Sequence, residues 1–233
     1  MNGKRQVFLL PGLLCDAAVW RPQARLLSGS HDVRVPDFFG YDSLPAMARA
    51  VLAMAPERFS LAGHSMGGRV ALEIVNQAPQ RVERLALLDT GVHGVQPAER
   101  DARQELVDLA FSKGMEALAA RWLPPMLAPD RRTDPVLVPE ITAMICRASP
   151  LIFARQIRAL LTRPSAEPVL PRIACPVHVI VGRQDSWSPV SQHEAIAAAV
   201  PGAKLSVIED CGHMAPLEQP EAVGAILAEW LQS

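Results

Sequence analysis

Short apolar runs recur along the chain, and the segments between them carry their apolar residues at every third or fourth position. The runs Val7 to Leu10, Val33 to Pro36, Phe59 to Ala62, Leu85 to Leu88, Val177 to Val181 and Lys204 to Ile208 are too short for helices. Most are near-continuous in Val, Ile and Leu, the pattern of strands buried on both faces. Ala17 to Leu27, Leu44 to Met54, Met66 to Gln77, Ser191 to Val200 and Pro220 to Leu231 read as amphipathic helices, the last with proline in its first turn, where a missing N–H costs nothing. Strands alternating with helices predict an α/β fold: about six mostly parallel strands flanked by helices on both faces.

The alternation breaks once. Roughly ninety residues separate Leu88 from Val177, far more than one crossover needs. Glu99 to Phe111, Met115 to Trp122, Pro139 to Arg147 and Leu151 to Leu161 have helical periodicity there and are separated by prolines. Residues 94–165 are therefore expected to form an all-helical lid inserted before the fifth strand, over a core made of 1–93 and 166–233.

Composition narrows the class of molecule. The chain has 233 residues, 49% hydrophobic and 20% charged, with a formal charge of -1 and no charged block. This gives no electrostatic reason to expect nucleic acid or an anionic membrane surface as a partner. No stretch free of charged residues exceeds about ten positions, against the ~20 that a membrane helix needs, so no membrane span is expected. Lys4 and Arg5 before Val7 to Leu10 imitate a signal peptide, but Pro11-Gly12 interrupts the run and no small-residue cleavage site follows. Cys15, Cys146, Cys175 and Cys211 have no paired spacing and read as free thiols of a cytoplasmic protein. Cys211 and His213 lack a second ligand pair, so no metal is expected, and acyl transfer through a serine would need no organic cofactor either.

The chemistry centres on "LAGHSMGGRVAL", Leu61 to Leu72. Ser65 lies between Gly63 and Gly67, after one predicted strand and before a predicted helix, as a Gly-x-Ser-x-Gly nucleophile elbow requires. A serine hydroxyl needs an adjacent base, usually histidine oriented by a carboxylate. Among six histidines, His213 stands in a Gly-His loop after the last strand, where its imidazole could reach back over the sheet. His178 falls inside a strand and His193 at a helix start. Asp185 follows the fifth strand directly and is the preferred carboxylate; Asp89, after the fourth, is the rival, and Asp210 is too close in sequence to His213.

The segments "LLPGLL", "GHSMGG", "VGRQD" and "CGHM" together resemble the α/β-hydrolase family, in its order and over essentially the whole chain. The resemblance implies an oxyanion hole from the backbone N–H groups of Met66 and Leu13. Pro11 stands where many relatives carry histidine before the glycine, so the bracing of that loop should differ. Too few residues precede the first strand for the family's usual antiparallel hairpin, which leaves a trimmed, all-parallel sheet.

Within the family the chain is similar to small lidded bacterial serine carboxylesterases of the pimeloyl-ester esterase type. The resemblance implies hydrolysis of a small or medium carboxylic ester through an acyl-enzyme, by a monomer or homodimer. Carbon–carbon bond hydrolysis, a cofactor-free lyase and a ligand receptor with vestigial turnover use the same constellation and remain open. His64, Met115, Trp122, Met126, Leu127, Met144, Ile145 and Trp187 are candidates to line the substrate site. Arg155 and Arg158, three apart on one helix, are candidates to meet a substrate carboxylate.

Overall fold

The computed structural model of the chain describes residues 4–232. Met1 to Gly3 and Ser233, the ends assigned to the core and the start of the signal-like stretch, lie outside the described residues. In chain order the elements are β1 (Gln6–Leu10), α1 (Arg21–Leu27), β2 (Asp32–Arg34), α2 (Leu44–Met54), β3 (Phe59–His64), α3 (Met66–Gln77) and β4 (Val82–Leu88), then α4 (Glu99–Trp122), α5 (Leu137–Cys146) and α6 (Pro150–Leu161), then β5 (Val177–Gly182), α7 (Val190–Ala199), β6 (Lys204–Ile208), α8 (Ala215–Glu218) and α9 (Pro220–Gln232).

The six strands form one sheet in the order β2-β1-β3-β4-β5-β6, and every pairing is parallel. β3 and β5 are buried along their whole length, which is why their sequences carry no polar alternation. The order runs outward from β1 in both directions. Strand carboxyl ends at its centre therefore face a common crevice, where ligands bind in open parallel sheets.

Two elements differ from expectation for local reasons. Residues 17–27 do not form one helix: Ala17–Trp20 is a 3₁₀ turn and the α-helix starts at Arg21, because Pro22 lacks the N–H needed to continue the preceding turn. The second strand is short and earlier than expected, pairing only Asp32 to Arg34 with Gln6 to Phe8, so Val35 and Pro36 fall outside it. The two helices expected at 99–111 and 115–122 are both present within the span α4, divided at Gly114, whose φ of 84° is a conformation that favours glycine. The chain between β4 and β5 otherwise carries helices where periodicity placed them.

Among the described residues no single helix is long and apolar enough to cross a membrane; α5 and α6 reach that length only taken together, across a 91° bend. The four cysteines are free thiols, and burial pushes Cys15 up to about 12, far from thiolate reactivity.

Candidate active site

The site is built from turns at three adjacent strand ends. Ser65 occupies the turn between β3 and α3 with φ 53° and ψ -115°, a strained conformation for a residue with a side chain. Glycine makes the turn sterically possible: a Cβ on Gly63 would run into the Gly67 carbonyl, and one on Gly67 into the Leu10 carbonyl. The backbone is tied on both sides. Ser65 N–H donates to Leu88 O at 2.9 Å, and the Thr90 hydroxyl donates to Ser65 O at 2.7 Å. Thr90 is itself held by His193, whose Nε2 accepts the Thr90 N–H at 2.9 Å.

His213 reaches back over the sheet as its loop position predicts. Its Nε2 lies 2.9 Å from Ser65 Oγ and its Nδ1 lies 2.8 Å from Asp185 Oδ2. Asp185 is 3% exposed, and its other oxygen accepts the N–H groups of Trp187 and Ser188, each at 2.8 Å. Burial penalises its charge, but the facing His213 and these donors outweigh the penalty and hold its pKa below the usual carboxylate value.

Asp89, the rival, is also buried but serves another partner: its Oδ1 accepts the Gly182 N–H at 3.0 Å. Burial, reinforced by the nearby Asp185 charge, raises its pKa well above that of an ordinary carboxyl. Of the two carboxylates, only Asp185 hydrogen-bonds His213. His178 bonds Ser206, and His31 pairs with Ser30 on the surface, so neither joins the group.

The His213 loop is pinned by a residue that sequence reading missed. Glu218, on α8, is 2% exposed; its Oε1 accepts the N–H groups of Gly212 and Met214 at 3.1 and 3.0 Å. Its Oε2 accepts Ala128 N–H at 2.8 Å, and His213 N–H donates to Met126 O at 2.7 Å. The loop is thus fastened to segment 126–128 by backbone on both sides. His64 adds a contact from below, its Nε2 lying 2.8 Å from His213 O. Burial, then the proximity of His213, lowers the His64 pKa to about 3, so it is neutral and Nε2 is the donor.

The loop after β1 carries Pro11 before Gly12 and is braced from α6. Gln156, fully buried, accepts Leu14 N–H at 2.9 Å and donates to Phe38 O at 3.3 Å. Its signal was legible: a glutamine within the apolar stripe Phe153, Ile157 and Leu160 needs a buried partner. The neighbouring Leu13 N–H and that of Met66 make no hydrogen bond among the described residues, and both residues border a cavity of about 330 Å³ that opens on Ser65 and His213.

Of the candidate lining residues, His64, Trp122, Met126 and Trp187 border this cavity. Met144 does not: it is 1% exposed and packs in the core, as do Leu127 and Ile145. Met115 is likewise buried away from the cavity. Arg155 and Arg158 are a correction. α6 turns Phe153, Gln156, Ile157 and Leu160 inward, so the two arginines face solvent, and Arg158 meets Asp42 on the surface at 3.4 Å. The arginines that border the cavity are Arg69, Arg103 and Arg163, none of which helical spacing had singled out. Among the described residues no three His, Cys, Asp or Glu side chains gather as metal ligands.

The family model described as the alpha/beta hydrolase family matches residues 7–226. This chain belongs to that family. It is 26% identical over 240 aligned positions to a pimeloyl-[acyl-carrier protein] methyl ester esterase of Aromatoleum aromaticum, covering 95% of this chain and 96% of that protein. It is 26% identical over 242 positions to a 2-hydroxymuconate semialdehyde hydrolase of Pseudomonas sp. (strain CF600), covering 92% and 81%. Among solved structures, a malate-bound thermophilic esterase from Thermogutta terrifontis superposes with a TM-score of 0.88 at 28% identity, covering 99% of this chain and 90% of that one.

Proposed function

We propose that this alpha/beta hydrolase is a serine esterase that cleaves small or medium carboxylic esters through an acyl-enzyme. The observation that carries the reading is the continuous hydrogen-bonded line from Ser65 Oγ through His213 to Asp185, at 2.9 and 2.8 Å. Asp185 accepts from Nδ1, which leaves Nε2 as the lone-pair side facing the serine.

Ser65 Oγ attacks the ester carbonyl carbon as His213 Nε2 takes the hydroxyl proton. The carbonyl π-pair moves to oxygen, and the backbone N–H groups of Leu13 and Met66 meet the resulting oxyanion. The start of α3 favours the same negative charge. Collapse breaks the carbon–oxygen ester bond, and the His213 proton leaves with the alcohol. Water then attacks the acyl-enzyme with His213 again as base, releasing the carboxylic acid and restoring Ser65.

Residues 94–165 act as the lid: Leu106 and Trp122 of α4, Met126 of the turn after it, and Ile157 and Leu160 of α6 supply an apolar wall to the cavity. At about 330 Å³ the space sits at the small end of the usual ligand-pocket range of roughly 300–1,000 Å³. That size suits a short acyl chain. Hydrolysis of p-nitrophenyl esters of graded chain length tests the reading: turnover that peaks at short to medium chains supports it, and absence of p-nitrophenol release at every length refutes it.

The likeness to a semialdehyde hydrolase favours one second reading, carbon–carbon bond cleavage by the same Ser65, His213 and Asp185. Turnover of a vinylogous diketone with negligible ester hydrolysis would select it.

A further inference from the structure

The end of the cavity bordered by Arg69, Arg103 and Arg163 is cationic, and one of its charges has no counterion. Arg69 lies one helical turn beyond Ser65 on α3, roughly 6 Å along the axis. Its Nη1 donates to His93 O at 3.0 Å, and it makes no ion pair among the described residues. The acid of this region, Glu99, is already engaged. It accepts from Arg163 at 2.6 and 2.8 Å and from Arg103 at 2.7 Å, and these cations outweigh its burial and hold it at about 2.

The charges bordering this end are therefore three guanidinium groups against one carboxylate. Asp89 adds little to the balance: its Oδ1 is taken up by the Gly182 N–H at 3.0 Å, and burial raises its carboxyl well above the usual range. His93 stays neutral, since burial and the adjacent Arg69 and Arg163 lower its pKa. Burial, then Arg163, lowers even the Arg69 guanidinium to about 9, the mark of a cation with too little compensation. An enclosed arginine with spare donors in a fork geometry is suited to a carboxylate, which can take two parallel N–H bonds.

We propose that Arg69 binds a carboxylate carried by the substrate, so that the preferred esters are monoesters of short dicarboxylic acids. Their apolar chain lies against Leu106, Ile157 and Leu160, the scissile ester meets Ser65, and the second carboxylate meets Arg69. This rests on the cavity being the substrate site of the proposed esterase. Arg69, not the exposed Arg155 and Arg158, is then the residue that selects anionic substrates.

The test measures binding without turnover, by titration calorimetry of Ser65→Ala with adipate and with its neutral dimethyl ester. Adipate is expected to bind the tighter, and adding Arg69→Gln should weaken adipate roughly ten- to hundredfold, the worth of one charged hydrogen bond, and the dimethyl ester much less. Arg69→Lys, which keeps the charge and loses the fork, should fall between; it also replaces Arg69→Gln if that variant fails to fold. In the wild type, kcat/KM for monomethyl adipate should exceed that for methyl hexanoate, whereas an acetyl ester of 6-hydroxyhexanoate, with its carboxylate on the alcohol half, should gain less. Equal binding of adipate to Ser65→Ala with and without Arg69 overturns the proposal, as does a wild-type preference for the neutral ester. Loss of ester hydrolysis in the wild type with adipate binding retained would instead fault the esterase reading alone.

Discussion

Replacing Asp185 by asparagine separates the geometry of the site from its chemistry. The Asp185 carboxylate makes three hydrogen bonds, two from backbone N–H groups to Oδ1 and one from His213 to Oδ2. An asparagine keeps one acceptor and turns the other oxygen into a donor. Facing the amide nitrogen toward Trp187 and Ser188 would orphan two N–H groups, one part-buried and one buried, at up to about 1–3 kcal/mol each. Facing it toward His213 orphans none, provided the imidazole moves its proton to Nε2. The second arrangement wins by about 2 kcal/mol or more, and it leaves Nε2 donating to Ser65 when it should accept. Activity should then fall by about 10⁴ in kcat, some 5.4 kcal/mol of lost transition-state stabilisation, with the fold intact. Steady-state hydrolysis of a p-nitrophenyl ester, alongside circular dichroism, measures both. Asp89→Asn is the control, because asparagine tolerates the positive φ of 46° and keeps the Gly182 bond; it should cost less than roughly tenfold. Retention of a tenth or more of the activity by Asp185→Asn would refute the reasoning, as would a larger loss in Asp89→Asn.

Four further outcomes follow from single contacts. The raised Asp89 pKa means its contribution to stability is present below the unfolded value of about 4 and is lost as pH rises toward the folded one, so Asp89→Asn should melt above the wild type at neutral pH and approach it near pH 4; thermal melts across pH detect the crossover, and a constant gap would contradict it. Glu218→Ala leaves three buried N–H groups without acceptors and should cost about 3 kcal/mol or more, lowering Tm by about 6 °C or more and reducing kcat through His213; an unchanged Tm would show that the pin carries nothing. Gln156→Met releases the Leu14 amide and should lower kcat roughly tenfold, less than the 10²–10³ of deleting an oxyanion donor, with KM little altered; a KM effect alone would place Gln156 in substrate binding. Ser65→Gly relieves a backbone strain of about 1–3 kcal/mol, partly offset by glycine entropy, so this inactive variant should melt a few degrees higher; a lower Tm would argue that the turn is unstrained.

The hydrophobic pattern made the sheet legible because each strand is buried on both faces, so β3 and β5 appear as apolar runs with turn residues at their ends. Ser65, Asp185 and His213 were legible for a related reason. Each follows a strand, and strand carroboxyl ends in a parallel sheet share one edge, so chain order predicts proximity in space. What was hidden depends on direction around a helix. Arg155 and Arg158 share a face, but only the placement of Phe153 and Ile157 against the core shows that it is the outer one. Glu218 and Arg69 were hidden differently: a lone charge on a short helix, or one turn after the serine, has no periodicity to mark it, and its meaning lies in backbone and cavity partners distant in sequence. Pro22 moved a helix boundary through backbone chemistry that a hydrophobic pattern does not register.

Everything proposed for this site requires Ser65 to be a nucleophile activated by His213. Reaction with a fluorophosphonate, followed by peptide mass mapping, tests it most directly, since the reagent bonds only to a serine whose proton can be taken. One adduct is expected, on the peptide carrying Ser65, lost in Ser65→Ala and strongly slowed in His213→Ala. An adduct on another residue, or none on the folded wild-type protein, would contradict it.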